Sequence, residues 1–445
     1  MKAPCRQDLF ASLGSMLNTS RRHPRGASDV PQSPKLMIAK HPWAFKARFR
    51  SKAYGWKGSS LAIKRLKEAV SEIKNVARTD AVVAADGAVS LFERFWPALE
   101  HIDTSSGALG GAVNRTQEEL LPVVIRAPAD RKTRDRWLDR LWQAIQDDGV
   151  DYLCVVQDHW GELCASPEVA SHWADQFVDL IRMAWSDPRP GGYVNATSLC
   201  FSSLFAAGRH QDIWDLLAIA RFPFWPYRKF GVDALMKEGR IDDALTFAEA
   251  SRGLNQPDRS IDAACERILL GAGRVDEAYE RYALTASEGA TGLATFRAIA
   301  KKYPQREPSG ILLDLAESSG ETGRYFAAAK DAGFYDLALK FAEEGRTDPR
   351  TLSRASRDFA VKQPAFAMAA GRLALERLLQ GYGYEVTLLD VVDAYQHFIA
   401  AAGRMGLAES AARDATALAN AAKAQPTRVL ADVLLRSIGG AAVRH

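Results

Sequence analysis

Cysteine is scarce in this chain of 445 residues. The five present, Cys5, Cys154, Cys164, Cys200 and Cys265, are odd in number and far apart. That usage argues against a disulfide framework and for a reducing compartment, so the cytoplasm is the expected location. No run of about 18 or more apolar residues exists, so no membrane-spanning helix is expected. The opening stretch, MKAPCRQDLFASLGSMLNTSRRHPRG, has no apolar run of about 7–15 residues, so no secretory signal is expected either. Also missing are period-two alternation and paired Val/Ile/Thr-rich segments, which leaves little room for β-structure.

Recognisable catalytic signatures are absent too. There is no nucleophile elbow, no P-loop lysine and no dinucleotide fingerprint. The glycines of SSGALGG (105–111) and GYGYE (381–385) read as turns between helices. Cys154, His159, Glu162, Cys164 and His172 lie near one another, but without the paired spacing of a zinc site, and a packing role suits that segment better. The remaining histidines are scattered. No catalytic residue, metal ligand or cofactor is assigned.

What the chain does have is an uneven charge and a helical text. Residues 1–52 hold eleven Lys/Arg against Asp8 and Asp29, a balance of +9 within a net charge of +4, so the remainder is mildly acidic at −5. Proline, serine and cations dominate 18–42, with almost nothing to bury, which predicts disorder. HPWAFKARFRSKAYGWKG (41–58) interleaves aromatics with cations and suits either docking on the body or contact with an outside partner. From Ser60 onward the text is almost continuously helical. LAIKRLKEAVSEIKNVA places Ala62, Leu66, Ala69, Val70, Ile73 and Ala77 on one stripe. Ser166-Pro167 and Asp348-Pro349 are helix starts, because a short polar side chain caps the free N–H groups and proline fits the first turn.

One phrase returns. AAGRHQDIWDLLAIA, KEGRIDDALTFAEA, GAGRVDEAYERYALTA and DAGFYDLALKFAEEG each end one apolar-periodic segment at a glycine and start another within a few residues. With 73 alanines in the chain, an alanine five positions after a glycine is a weak signal on its own. The spacing is stronger. Gly208, Gly239, Gly273, Gly333 and Gly403 stand 31, 34, 60 and 70 residues apart, near one, one, two and two helical-hairpin units.

GRIDDALTFAEA and GRVDEAYERYALTA resemble the glycine–x₄–alanine centre of tetratricopeptide repeats over about 200–350, without the closing proline or the Trp-Leu-Gly opening of that family. LFERFWPALEHIDTSSGALGGAV, RLWQAIQDDG, HWGELCASPEVASHWAD and CERILLGAGRVDEAYERYA are similar to a family of uncharacterised bacterial helical-repeat proteins of unknown function, which supplies no catalytic residues.

The resulting expectation is an all-α fold: an α-solenoid of stacked antiparallel, tetratricopeptide-like hairpins preceded by a disordered arm. Its parts would be a basic arm (1–57), an N-terminal helical domain (58–200), a repeat region (201–425) and a C-terminal helix and tail (426–445). Such arrays mostly bind proteins, so a non-enzymatic scaffold for a protein or peptide partner is the leading expectation. ARFPFWPYRKFG (220–231), read as a connection between hairpins broken by Pro223 and Pro226, supplies the candidate contacts Arg221, Phe224, Trp225, Tyr227, Arg228 and Lys229. The competing expectation is that its aromatics plug the gap between repeats. A second function, nucleic-acid association through Arg21, Arg22, Arg25, Lys46, Arg48, Arg50 and Lys52, follows from the basic arm. A third, an enzyme whose site is assembled from distant helices, leaves no local trace.

Overall fold

Residues 41–187, 192–253, 258–424 and 426–442 are described by the computed structural model of the chain. Arg21, Arg22, Arg25 and the expected disordered stretch before His41 lie outside them. Among the described residues there are helices and no strands, and no helix is long and apolar enough to cross a membrane. The chain divides after Leu153 into two compact units. The division expected at 200/201 instead falls inside the helix Thr197–Ala206.

In the first unit, residues 41–57 are packed into the body, although they were expected to belong to a largely disordered arm. Their aromatics decide this. Trp43, Phe45, Phe49 and Tyr54 are buried. Trp43 lies so close to Gly87 that a Cβ there would stand 2.3 Å from its ring. The short helix Phe45–Arg48 begins on Glu72, whose carboxylate accepts from the Ala44 and Phe45 N–H groups at 2.6 and 3.2 Å. The helix Ser59–Val76 buries Ala62, Leu66, Ala69, Val70 and Ile73, as its periodicity requires. Ala81–Phe92 is apolar nearly all round and sits inside. Its Asp86 accepts from Trp137 Nε1 at 3.0 Å and from Arg140 at 2.7 Å, tying the helix Arg131–Asp147 to it.

The second unit is a succession of hairpins. Helices Thr197–Ala206 and His210–Ile219 are followed by Trp225–Lys237 with Ile241–Glu249, then by Asp258–Gly271 with a helix that starts at Val275–Ala278 and runs through a π turn at Tyr279–Ala283. Gly292–Lys302 pairs with Pro308–Ser319, Phe326–Asp331 with Tyr335–Glu344, Pro349–Phe359 with Pro364–Leu379, and Leu388–Arg404 with Ala408–Ala422. Arg428–Ala442 packs on the last hairpin and buries Ala431 and Leu434. The caps read from the sequence are present: Ser166 Oγ accepts from Val169 N–H at 3.3 Å and Asp348 Oδ1 from Thr351 N–H at 3.0 Å.

The repeated phrase has a definite geometry. Gly208, Gly239, Gly273 and Gly333 have φ of +73°, +75°, +73° and +86°. In each, the glycine N–H reaches the carbonyl three residues back at 3.1 Å, and the next residue's N–H reaches the carbonyl five back at 2.9 Å. This is the Schellman closure of a helix. The residue after the glycine (Arg209, Arg240, Arg274 or Phe334) is at the same time the N-cap of the following helix. The alanine five positions after the glycine has its own place in this turn. Ala244, Ala278 and Ala338 donate the first helical N–H to that N-cap carbonyl at 2.9, 3.0 and 2.9 Å, and all three are fully buried.

The fifth copy lies three residues later than its spacing predicts. Gly403 is inside the helix Leu388–Arg404, whereas Gly406 has φ +72°. Leu407 N–H then bonds Ala402 O at 2.9 Å, and Ala411 takes the buried position.

Ion pairs bind several of the hairpins to a neighbouring element at sequence separations near one repeat. Arg209 reaches Asp175 (34 residues away) and Arg274 reaches Asp242 (32), each at 2.5 Å. Arg267–Asp233 and Arg297–Asp331 span 34 each. Three tyrosines do likewise: Tyr279 donates to Asp314, Tyr282 to Glu249 and Tyr303 to the buried Glu266, at separations of 35, 33 and 37.

Gly406→Ala forces a side chain into the left-handed region and is expected to cost about 1–2 kcal/mol. Gly403→Ala, in helix with open space around its Cβ position, is expected to gain about 0.5–1 kcal/mol. Urea midpoints of the two variants check the register, and the reverse order would contradict it.

Candidate functional site

The stretch 220–231 is half connection and half helix. Pro226 sits in the first turn of Trp225–Lys237, where its missing N–H is not needed. That register sends the six residues picked out from the sequence to different places. Trp225 is buried in the repeat core. Arg228 lies over the Phe247 ring at 3.7 Å and donates to Ser251 Oγ at 2.6 Å and to Phe247 O at 3.2 Å. Lys229 pairs with Asp158 at 2.5 Å. These three side chains are engaged in holding the fold. Arg221, Phe224 and Tyr227 come together, with the Arg221 guanidinium donating to Asp187 O.

Around them lies a depression of about 260 Å³, lined by Trp185, Tyr193, Phe222, Phe224, Tyr227 and Arg221. Its floor is rigid. Tyr227 stacks on the fully buried Phe201 with centroids 5.5 Å apart and planes 6° from parallel. Trp185 packs against Tyr227 at 5.6 Å and donates Nε1–H to Gly192 O at 3.0 Å. Phe224 meets Tyr227 edge-on at 5.0 Å, and Phe222 meets Phe224 edge-on at 5.8 Å. The upper walls stand in water, with Phe222 61% and Tyr193 68% exposed. A neighbouring hollow of about 230 Å³ adds Leu217, Pro223 and Arg228 to the same aromatic walls. Among the described residues, the lining of the first depression offers aromatic faces and the Arg221 cation, with no acid or imidazole beside them.

Trp185 and Tyr193 belong to this site and were not singled out from sequence. MAWS before 187 and GGY at 191–193 flank a proline- and glycine-rich stretch, the same mix of aromatics and helix breakers as 220–231. That shared composition was the available signal.

A second cleft, about 190 Å³, lies between Pro349–Phe359 and Leu388–Arg404. Arg350 grips Asp390 through two bonds of 2.7 and 2.9 Å, which together with Thr387 hold that carboxyl far below the usual range. Ser353 Oγ and His397 Nδ1 are 3.0 Å apart. Arg357 pairs with Asp358 at 2.8 Å. Within the cluster read near 154–172, His159 Nδ1 and Glu162 Oε1 stand 2.6 Å apart. Among the described residues, no three His, Cys, Asp or Glu side chains gather as a metal would require.

Of the basic contacts expected for nucleic acid, Lys46, Arg48, Arg50 and Lys52 are exposed on the packed 41–57 segment, with Arg48 paired to Glu68 at 2.5 Å. The aromatics interleaved with them face inward, except Trp56.

No protein-family model matches the chain, and no curated protein matches it significantly. Among solved structures, a circular tandem repeat protein with novel repeat topology and enhanced subunit contact surfaces is similar at 13% identity, over 86% of this chain and 91% of that one. Its TM-score is 0.16, at which the likeness carries no argument.

Burial pushes His397 below the ordinary imidazole range, an effect that nearby Asp393 and Asp358 oppose and Arg357 reinforces. The folded chain thus favours the neutral ring, and the unfolded chain takes up the proton first as pH falls. Stability contributed by this residue is present above the ordinary histidine range and lost as pH drops through it toward the lower folded value. Between about pH 8 and about pH 5, the urea midpoint of the wild type is expected to fall more steeply than that of His397→Gln. Equal slopes would contradict the assignment.

Proposed function

We propose that this chain is a non-enzymatic interaction scaffold, and that a protein or peptide partner seats an apolar side chain in the depression walled by Trp185, Tyr193, Phe222, Phe224 and Tyr227. One observation carries the reading: five aromatic side chains from two separated segments converge on one hollow and leave two of their rings largely in water. Rings fixed beforehand lose little freedom on binding, and aromatics with a neighbouring arginine are the usual anchors of protein interfaces. Arg221 at the rim is placed to meet a carbonyl or carboxylate of the same partner. Stacked hairpins favour this use, because they hold connections such as 220–224 on a rigid frame. A cytoplasmic setting is part of the proposal, supported by the free thiols of Cys164, Cys200 and Cys265. Burial raises the pKa of Cys200 to about 12 and of Cys265 to about 11, which suits unreactive core residues.

Affinity capture with the full chain, read by mass spectrometry, tests the proposal. The expected result is a partner recovered with the wild type and lost, by about 30-fold or more in affinity, with Phe222→Ala/Tyr193→Ala at an unchanged melting temperature. Trp225→Ala serves as the contrast, destabilising by about 3–5 kcal/mol through a core cavity. Recovery of the same proteins by wild type and double variant would contradict the proposal.

A further inference from the structure

The first unit carries a groove of about 440 Å³ between Ser59–Val76 and Ala108–Arg126. Its floor is aliphatic, formed by Ile63, Leu66, Val70 and Ala112, and its rim holds Lys67, Lys74, Arg78 and Arg115 against the single acid Glu119. The charge on Ser59–Val76 is sorted by face. Both of its acids point the other way: Glu68 takes Arg48 and Arg65 at 2.5 and 2.6 Å, and Glu72 takes the backbone N–H groups of Ala44 and Phe45. On the groove side, Lys74 and Glu119 pair across the rim at 2.5 Å while both remain about half exposed. Lys67, Arg78 and Arg115 stand exposed around the same opening, and among the described residues no ion pair engages them. Holding these like charges together over an apolar floor is unfavourable for the isolated unit, and a partner of opposite sign relieves it.

We propose that this groove receives an acidic amphipathic helix of a partner protein, whose aliphatic stripe lies on the part-exposed Ile63 and the edge of Val70 while its carboxylates meet Lys67, Arg78 and Arg115. The volume lies within the usual range of ligand sites, about 300–1,000 Å³, and an apolar floor with a charged rim is how a groove between helices accepts a third helix. The chain's own residues 1–40 carry seven Lys/Arg against two acids, a charge that does not complement this rim. A nucleic acid fits the lining poorly. None of the lining residues is aromatic, so no base finds a stacking surface, and the aliphatic floor offers a phosphate backbone nothing. The groove belongs to a different unit from the aromatic depression, and the inference stands apart from the function proposed for that site.

Fluorescence anisotropy on the full-length protein tests it with labelled probes: a synthetic helix with a leucine stripe and glutamates elsewhere, the same peptide with lysine for every glutamate, and single- and double-stranded DNA. The glutamate peptide is expected to bind, more weakly as salt rises, and to lose at least about tenfold in affinity with Lys67→Glu/Arg78→Glu/Arg115→Glu. All three side chains are exposed, so the melting temperature is expected to hold. If the triple variant fails to fold, Lys67→Gln/Arg115→Gln is expected to weaken binding in the same direction. Equal binding of glutamate and lysine peptides would overturn the proposal, as would glutamate-peptide binding that survives the substitutions. DNA binding that disappears with them would also overturn it, in favour of a nucleic-acid groove.

Discussion

Five of the seven hairpins described in the second unit depend on one backbone arrangement, the left-handed glycine that closes the first helix of a hairpin while its successor caps the second. Two hydrogen bonds fix the exit of the chain, and the residue after the glycine belongs to both helices, as last donor of one and first acceptor of the other. With no residue free to vary between them, the angle of the second helix is set before any side chain packs. The buried alanine five positions after the glycine lets that helix lie close against its neighbours. Arginine after the glycine adds a further lock: Arg209 and Arg274 each hold an acid three residues on and another one repeat back. Arg240 keeps the local half of that pattern through Asp243.

Much of this was legible because it is local. Glycine needs no distant contact to favour a left-handed turn, and amphipathic stripes declare which face will be buried. Gly208, Gly239, Gly273 and Gly333 were therefore readable as helix ends. Gly403 misled because Gly406 lies one helical turn further on, and spacing alone cannot choose between two glycines so close together. The arginine that follows three of the glycines was visible but unexplained, since its partners sit 32 and 34 residues away and acids are common everywhere. Adjacent aspartates divide the same way: Asp243 takes Arg240 and Asp242 takes Arg274.

The first unit and the candidate sites were harder, for the same reason in reverse. In HPWAFKARFRSKAYGWKG the sequence shows cations and aromatics alternating, which leaves docking on the body and contact with an outside partner both open. What decides for docking is Gly87, far along the chain, whose missing side chain makes room for Trp43. Likewise 220–231 announced an aromatic cluster, but helical register decides which rings face out. It turns Trp225 inward and leaves Phe222 in solvent. The other wall, Trp185 and Tyr193, comes from a separate segment that only folding brings near. The two proposed binding surfaces thus lie between elements, and no short motif marks them.

The shared turn residue is the heart of the account, and amide hydrogen exchange tests it most directly. The N–H groups of Arg209, Arg240, Arg274, Phe334 and Leu407 lie at turns where an unbonded amide would exchange quickly, yet each is bonded to the carbonyl five residues back. The account predicts protection matching that of mid-helix amides in the same hairpin. Exchange of these five at the rate of unprotected turn amides would contradict it.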